Sequence, residues 1–83
     1  MRYDISYEKR CLKYLKRIER NTKIRILKAI NNLPLGDVKK LQGNTSDYRL
    51  RVGDYRITFS RDDKNLIIKI IEIAPRGEIY KKI

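Results

Sequence analysis

Residues 48–60 constrain the fold more than any other stretch of this chain. Tyr48, Leu50 and Val52 alternate with Arg49 and Arg51; after Gly53-Asp54, Tyr55, Ile57 and Phe59 alternate with Arg56, Thr58 and Ser60. An apolar side chain at every second position marks a strand with one buried face. Two such runs around a glycine-containing pair read as a β-hairpin. The buried face needs a cover, and the cover lies upstream. Residues 8–19, entered near Ser6 or Tyr7, carry Cys11, Leu12, Tyr14, Leu15 and Ile18 at helical spacing. A second helix, capped by Thr22, carries Ile26, Leu27, Ile30 and Leu33 with Ile24 beside the stripe, and Pro34-Leu35-Gly36 stops it. The short break at Asn21-Thr22 makes the two an αα-hairpin. Residues 2–7 alternate weakly and read as a first strand, and residues 37–46 as a polar loop. A turn over 62–65 leads to an isoleucine-rich strand over 66–74, and residues 76–83 form a basic tail after Pro75. The expected fold is α+β, a single domain over 1–83 in the order β-α-α-β-β-β. Its antiparallel sheet packs against the helical hairpin.

A chain of 83 residues buries only about 60–65% of its unfolded surface, so one thin core is all it can build. With 41% apolar residues that core is feasible. The charge balance is less ordinary. Lys and Arg number 21 against 10 Asp and Glu, a net +11 that points to a polyanionic partner. The longest uninterrupted apolar run, residues 66–68, is too short to span a bilayer, so no membrane role is expected. Cys11 is the lone cysteine and fits a buried small hydrophobe; it excludes an internal disulfide or a multi-cysteine zinc site. There is no histidine, so Ser–His and Cys–His nucleophiles are excluded as well. Any catalysis must run on Arg, Lys, Tyr, Asp and Glu, with no cofactor or metal expected. The expected compartment is the cytoplasm.

Alternation places Arg49 and Arg51 on one face of their strand and Arg56 on the same polar face of the next. Guanidiniums gathered this way repel, and folding alone does not favour the cluster. A phosphate relieves the repulsion, because the guanidinium fork matches its oxygens bidentately. Charge alternation on a strand is also what an ordinary solvated face looks like, and both readings stand at this point. The helices are basic too, through Lys9, Arg10, Lys13, Lys16, Arg17 and Arg20 among others. Such a stripe can grip a nucleic-acid backbone or simply face water. Candidate RNA-backbone contacts are Lys9, Lys13, Lys16, Lys39, Lys40, Lys81 and Lys82. Tyr3, Tyr14, Tyr48 and Tyr55 fit core or half-buried positions, whereas Tyr80 lies in the tail without apolar periodicity.

Leu41-Gln42-Gly43, then Tyr48-Arg-Leu-Arg-Val-Gly-Asp-Tyr-Arg-Ile57, then Pro75-Arg-Gly-Glu-Ile-Tyr80 closely resembles the RelE branch of the RelE/ParE toxin superfamily. The resemblance covers essentially the whole chain, and the middle motif is its most specific part. It implies the RelE-like microbial ribonuclease fold and the toxin half of a type II toxin–antitoxin pair. RelE-like members cut messenger RNA in the ribosomal A site, whereas ParE-like members poison DNA gyrase. Carried over by position, the resemblance implies that Arg49, Arg51, Arg56, Arg76 and Tyr80 are the catalytic set. The implied reaction is metal-independent attack of the substrate's 2′-hydroxyl on the adjacent phosphate. The familiar RelE pattern has lysines where this chain has Arg49 and Arg51. Arginine does not release its proton, so the general base stays open among Tyr80, Asp47 and Glu78, with reliance on ribosomal groups and orientation as the other route. The implied partners are a cognate antitoxin, RelB-like or of another type, the ribosome and messenger RNA. A toxin–antitoxin heterotetramer is one expected assembly. The alternatives are a ParE-like gyrase inhibitor and a non-catalytic RNA- or ribosome-binding module.

Overall fold

Residues 2–41 and 47–75 are described by the structure, a computed structural model. In chain order the elements are β1 (Asp4–Tyr7), α1 (Lys9–Arg17), α2 (Arg20–Asn31), β2 (Val38–Lys40), β3 (Asp47–Val52), β4 (Tyr55–Asp62) and β5 (Ile67–Pro75). The strands form one five-stranded sheet in the order β1-β5-β4-β3-β2. The hairpin of β3 and β4 sits where the alternation requires it, with Leu50 opposite Ile57 and Val52 opposite Tyr55. Gly53 takes φ 57 at the first loop position, the place where such tight hairpins prefer glycine. Its missing Cβ also leaves room for Arg25 of α2, whose guanidinium lies 2.7 Å from where that atom would be.

Two features of the sheet differ from the sequence reading. The segment read wholly as a loop contains β2, antiparallel to β3. Val38-Lys39-Lys40 is too short to show a period, and its extended form comes from pairing with β3. The sheet is also mixed, because β1 joins β5 in parallel while β3, β4 and β5 are antiparallel neighbours. Alternation reports which face a residue takes and says nothing of strand direction. A parallel pair needs a long crossover, and the helical hairpin begins that crossover.

The helices start slightly off their expected caps. Glu8 precedes α1 without a side-chain capping bond. Glu19, rather than Thr22, caps α2; its carboxylate accepts from the Thr22 amide at 3.1 Å and the Thr22 hydroxyl at 3.0 Å. Those two bonds hold the Glu19 carboxyl below the usual carboxylate range. Cys11, Leu15, Ile26, Ile30 and Leu33 meet Leu50, Ile57, Phe59, Ile68, Ile70 and Ile73 from the sheet, and together they make the core. Leu12 and Ile24 belong to the apolar sequence pattern but stay exposed, at 47% and 42%. Cys11 is fully buried, as its helix phase implies, and its thiol donates to the Ile70 carbonyl at 3.5 Å. Tyr3, Tyr14, Tyr48 and Tyr55 pack partly buried against the core.

One irregularity keeps β5 in phase with the core. Thr58 pairs with Glu72 and Phe59 with Ile70, so Ile71 has no partner of its own. The extra residue is a β-bulge. It lets Ile70 and Ile73, three apart, both face the helices, where strict alternation would turn one of them out. The free carbonyl of Ile71 accepts a 2.7 Å bond from Arg10 Nε of α1.

At the end of the sheet nearest the β4–β5 turn, Arg61 lies 5.7 Å from the ring centroids of both Tyr3 and Tyr48. Asp63 fixes it, accepting from Arg61 Nε at 2.6 Å and from the Tyr3 hydroxyl at 2.8 Å. These bonds, that of Arg61 first, hold the Asp63 carboxyl below the ordinary range. A depressed native pKa contributes stability above the unfolded value, near pH 4, and that contribution disappears as pH falls through the native value. Asp63→Asn is therefore expected to lower the urea midpoint at pH 7 and to match the wild type near pH 2. An equal deficit at both pH values would mean that packing, not charge, is what the substitution removes.

Candidate functional site

The helices cover one face of the sheet and leave the other open, and the open face is where the hairpin arginines stand. Leu50 and Val52 turn inward, so Arg49, Arg51 and, on β4, Arg56 turn outward. Arg51 is directly opposite Arg56, which puts their Cβ atoms about 5 Å apart. Arg49 lies two residues along the same strand, about 7 Å from Arg51. On its other side Arg49 pairs with Lys39 of β2, so a lysine joins the cluster from the edge strand. Like charges directly opposite each other destabilise a sheet. The arrangement costs stability rather than supplying it.

The cluster is not left wholly uncompensated. Asp37, just before β2, accepts the Arg51 amide on its carbonyl at 3.0 Å. Its carboxylate straddles two guanidiniums, with Oδ1 3.7 Å from Arg49 Nη1 and Oδ2 4.0 Å from Arg51 Nη1. Both separations are too long for hydrogen bonds. Arg49 Nη1 is shut off from solvent and has no hydrogen-bond acceptor among the described residues. Arg56 is half-buried. A surface of this kind offers guanidinium donors to an oxyanion.

The remaining expected contacts fall in different places. Lys39 is exposed on the arginine face, whereas Lys40 pairs with Tyr48 and shares its side of the sheet. Lys9, Lys13 and Lys16 form an exposed stripe on α1, opposite in helical phase to the buried Cys11 and Leu15. That stripe is separate from the arginine cluster. Arg76, Tyr80, Lys81 and Lys82 lie outside the described residues, as does Glu78. Asp47 lies on β3 opposite Ser60, four residues from Arg51. Asp37 is the residue beside the arginines that the sequence reading missed. It stands in a polar segment with no period, and only the pairing of β2 with β3 brings it beside the arginines. Among the described residues, no three His, Cys, Asp or Glu side chains converge to hold a metal ion.

The sequence matches the family model described as the ParE toxin of the type II toxin–antitoxin system, parDE, over residues 5–80. No curated protein matches it. Among solved structures, the archaeal RelE–RelB complex from Pyrococcus horikoshii OT3 is 32% identical, with 93% of this chain and 98% of that chain covered at a TM-score of 0.78. The RelB–RelE complex from Methanococcus jannaschii is 30% identical over 92% of this chain and 95% of that chain, at a TM-score of 0.70. The intact E. coli RelBE complex is 18% identical, covering 88% of this chain and 95% of that chain with a TM-score of 0.73, and shares the fold.

Proposed function

The chain belongs to the RelE/ParE superfamily of type II toxin–antitoxin toxins, and from that premise we propose that it is a ribosome-dependent messenger RNA endonuclease of the RelE kind. The observation that carries this reading is the open sheet face on which Arg49, Arg51 and Arg56 stand together. In the proposed reaction the 2′-oxygen of the substrate bonds to the adjacent phosphorus and the bond to the 5′-oxygen breaks. The products are a 2′,3′-cyclic phosphate and a 5′-hydroxyl. Negative charge grows on the phosphate oxygens along this path, and preorganised guanidiniums stabilise it more than they stabilise the ground state. Arg56 and Arg76 take that role, Arg49 and Arg51 hold the strand, and Tyr80 stacks on or orients a nucleotide. The segment carrying Arg76 and Tyr80 begins after Pro75, which pairs with Tyr55 next to Arg56.

The α1 lysines and Lys39 then serve as backbone contacts for RNA, with affinity that falls steeply with salt. The cognate antitoxin is proposed to be RelB-like, since the archaeal relatives are RelE–RelB complexes. A heterotetramer acting in the cytoplasm is the assembly we propose. No helix among the described residues is long and apolar enough to cross a membrane.

The match to the ParE model favours a second reading, a gyrase inhibitor without RNA chemistry. Cell-free translation of a defined messenger, with 5′ ends mapped by primer extension, separates the two. Cuts inside the A-site codon that appear only with ribosomes are the expected result. Uncut messenger together with inhibited gyrase supercoiling would replace the nuclease reading with the second one.

A further inference from the structure

Asp37 stands between two guanidiniums of the arginine face, with its backbone and its carboxylate both engaged there. Its backbone is pinned, because its carbonyl accepts the Arg51 amide at 3.0 Å. Its carboxylate presents one oxygen to each of two arginines, at 3.7 and 4.0 Å, and neither contact is a hydrogen bond. Among the described residues, Arg49 Nη1 beside it is buried and has no hydrogen-bond acceptor. An ion pair at this distance without a hydrogen bond leaves the guanidinium N–H groups available to an incoming acceptor. Asp37 itself is more than half exposed, at 55%, and free to swing aside.

We infer that Asp37 is a positioning residue whose carboxylate stands where an RNA phosphate docks, spacing Arg49 and Arg51 in the free toxin and yielding their donors to the phosphate when RNA arrives. The inference rests on the ribonuclease reading for its substrate and on the geometry above for its site. Without an anion at this point Lys39, Arg49, Arg51 and Arg56 repel one another, and their side chains spread over many rotamers. With a carboxylate at ion-pair distance but unbonded, the cations are neutralised in part and their N–H groups stay available. Two consequences follow in opposite directions. Removing the charge relieves a competitor for the phosphate, so RNA binds more tightly. It also releases the arginines from their spacing, so bound RNA reacts more slowly; a misplacement of 1 Å is enough to cost about 100-fold.

The test uses the full-length toxin with Asp37→Asn and Asp37→Glu. Binding is read by fluorescence anisotropy on an all-2′-deoxy oligonucleotide, which lacks the attacking hydroxyl, across a salt series. Turnover is read on ribosomes programmed with a defined A-site codon. Asp37→Asn is expected to bind about 3-fold to 10-fold more tightly at low salt. Its log–log salt slope steepens by about 0.7, the value of one further phosphate neutralised on a single strand. Its kcat is expected to fall about 10-fold to 100-fold with the shape of the pH–rate profile unchanged, and Asp37→Glu is expected to recover most of both effects. Unchanged binding and salt slope in Asp37→Asn would overturn the inference. So would a kcat loss accompanied by disappearance of the acidic limb in the pH–rate profile, which is the mark of a proton acceptor. Circular dichroism checks that each variant is folded. If the wild type cuts no messenger, the ribonuclease reading fails by itself. The oligonucleotide measurement still decides whether Asp37 competes for a phosphate.

Discussion

Arg56→Ala is expected to abolish ribosome-dependent cleavage while leaving the protein folded. The loss should be about 10²-fold to 10³-fold in kcat, the range seen when one preorganised donor to a developing oxyanion is removed. The two halves of this prediction have separate physical grounds. For activity, Arg56 stands opposite Arg51, so the pair can address one phosphate from two strands. The N–H fork it presents has no equivalent in a shorter side chain. Arg56→Lys keeps the charge and loses the fork, and an intermediate rate is expected. For stability, the Arg51–Arg56 pair is a like-charge pair at directly opposed positions, worth about 0.2–1 kcal/mol of destabilisation. Arg56→Ala removes that repulsion and a residue of better strand propensity together, so the urea midpoint should move little. Arg56→Thr, which restores a β-branched side chain, should raise it. Full cleavage by a folded Arg56→Ala protein would remove Arg56 from the reaction. A large drop in stability would show that the arginine holds the sheet and was misread as functional.

The parts of this molecule that were legible in the sequence are those with a period. Tyr48 to Ser60 alternates over two full strands, and the register of β3 with β4 follows from it, including the shared face of Arg49, Arg51 and Arg56. The helical stripes of Cys11–Leu15 and Ile26–Ile30 gave two helices and their buried sides. What was not legible lacks a local signal. Val38-Lys39-Lys40 is a strand only because β3 offers it hydrogen bonds, and the parallel direction of β1 is decided by the crossover, not by Tyr3, Ile5 and Tyr7. The bulge at Ile71 is invisible in a run of isoleucines, where every position looks equally fit for the core. Leu12 shows the converse error: an apolar residue near the stripe was counted inward and stands outward, whereas Ile24, read beside its stripe, is exposed. At the site the rule is the same. The arginines came from periodicity, whereas Asp37 came from tertiary pairing alone. Its neighbours in sequence, Gly36 and Val38, carry no hint of phosphate chemistry.

Phe59→Ala is expected to destabilise the protein by about 3–5 kcal/mol in urea denaturation. An 83-residue domain has a total stability of roughly 4–12 kcal/mol, so this one change removes a large share of it. Phe59 has no exposed surface and is among the largest fully buried side chains. Its ring stacks on Tyr48 with centroids 5.6 Å apart and planes 17° from parallel, an arrangement worth about 0.5–1.5 kcal/mol beyond its area. Tyr48→Ala combined with Phe59→Ala should therefore cost less than the sum of the single changes, and strict additivity would exclude the stacking contribution. The consequence for the open face is larger than the energy alone implies. Phe59 pairs with Ile70 immediately beside the bulge, so it helps to fix which residues of β4 face inward. A slip of one residue in β4 would carry Arg56 into the core and Ile57 to solvent. The arginine face is specified from behind, by the packing of Leu50, Ile57 and Phe59. A cavity at Phe59 is thus expected to lower cleavage at 37 °C in step with the folded fraction, and to leave the rate per folded molecule near that of the wild type.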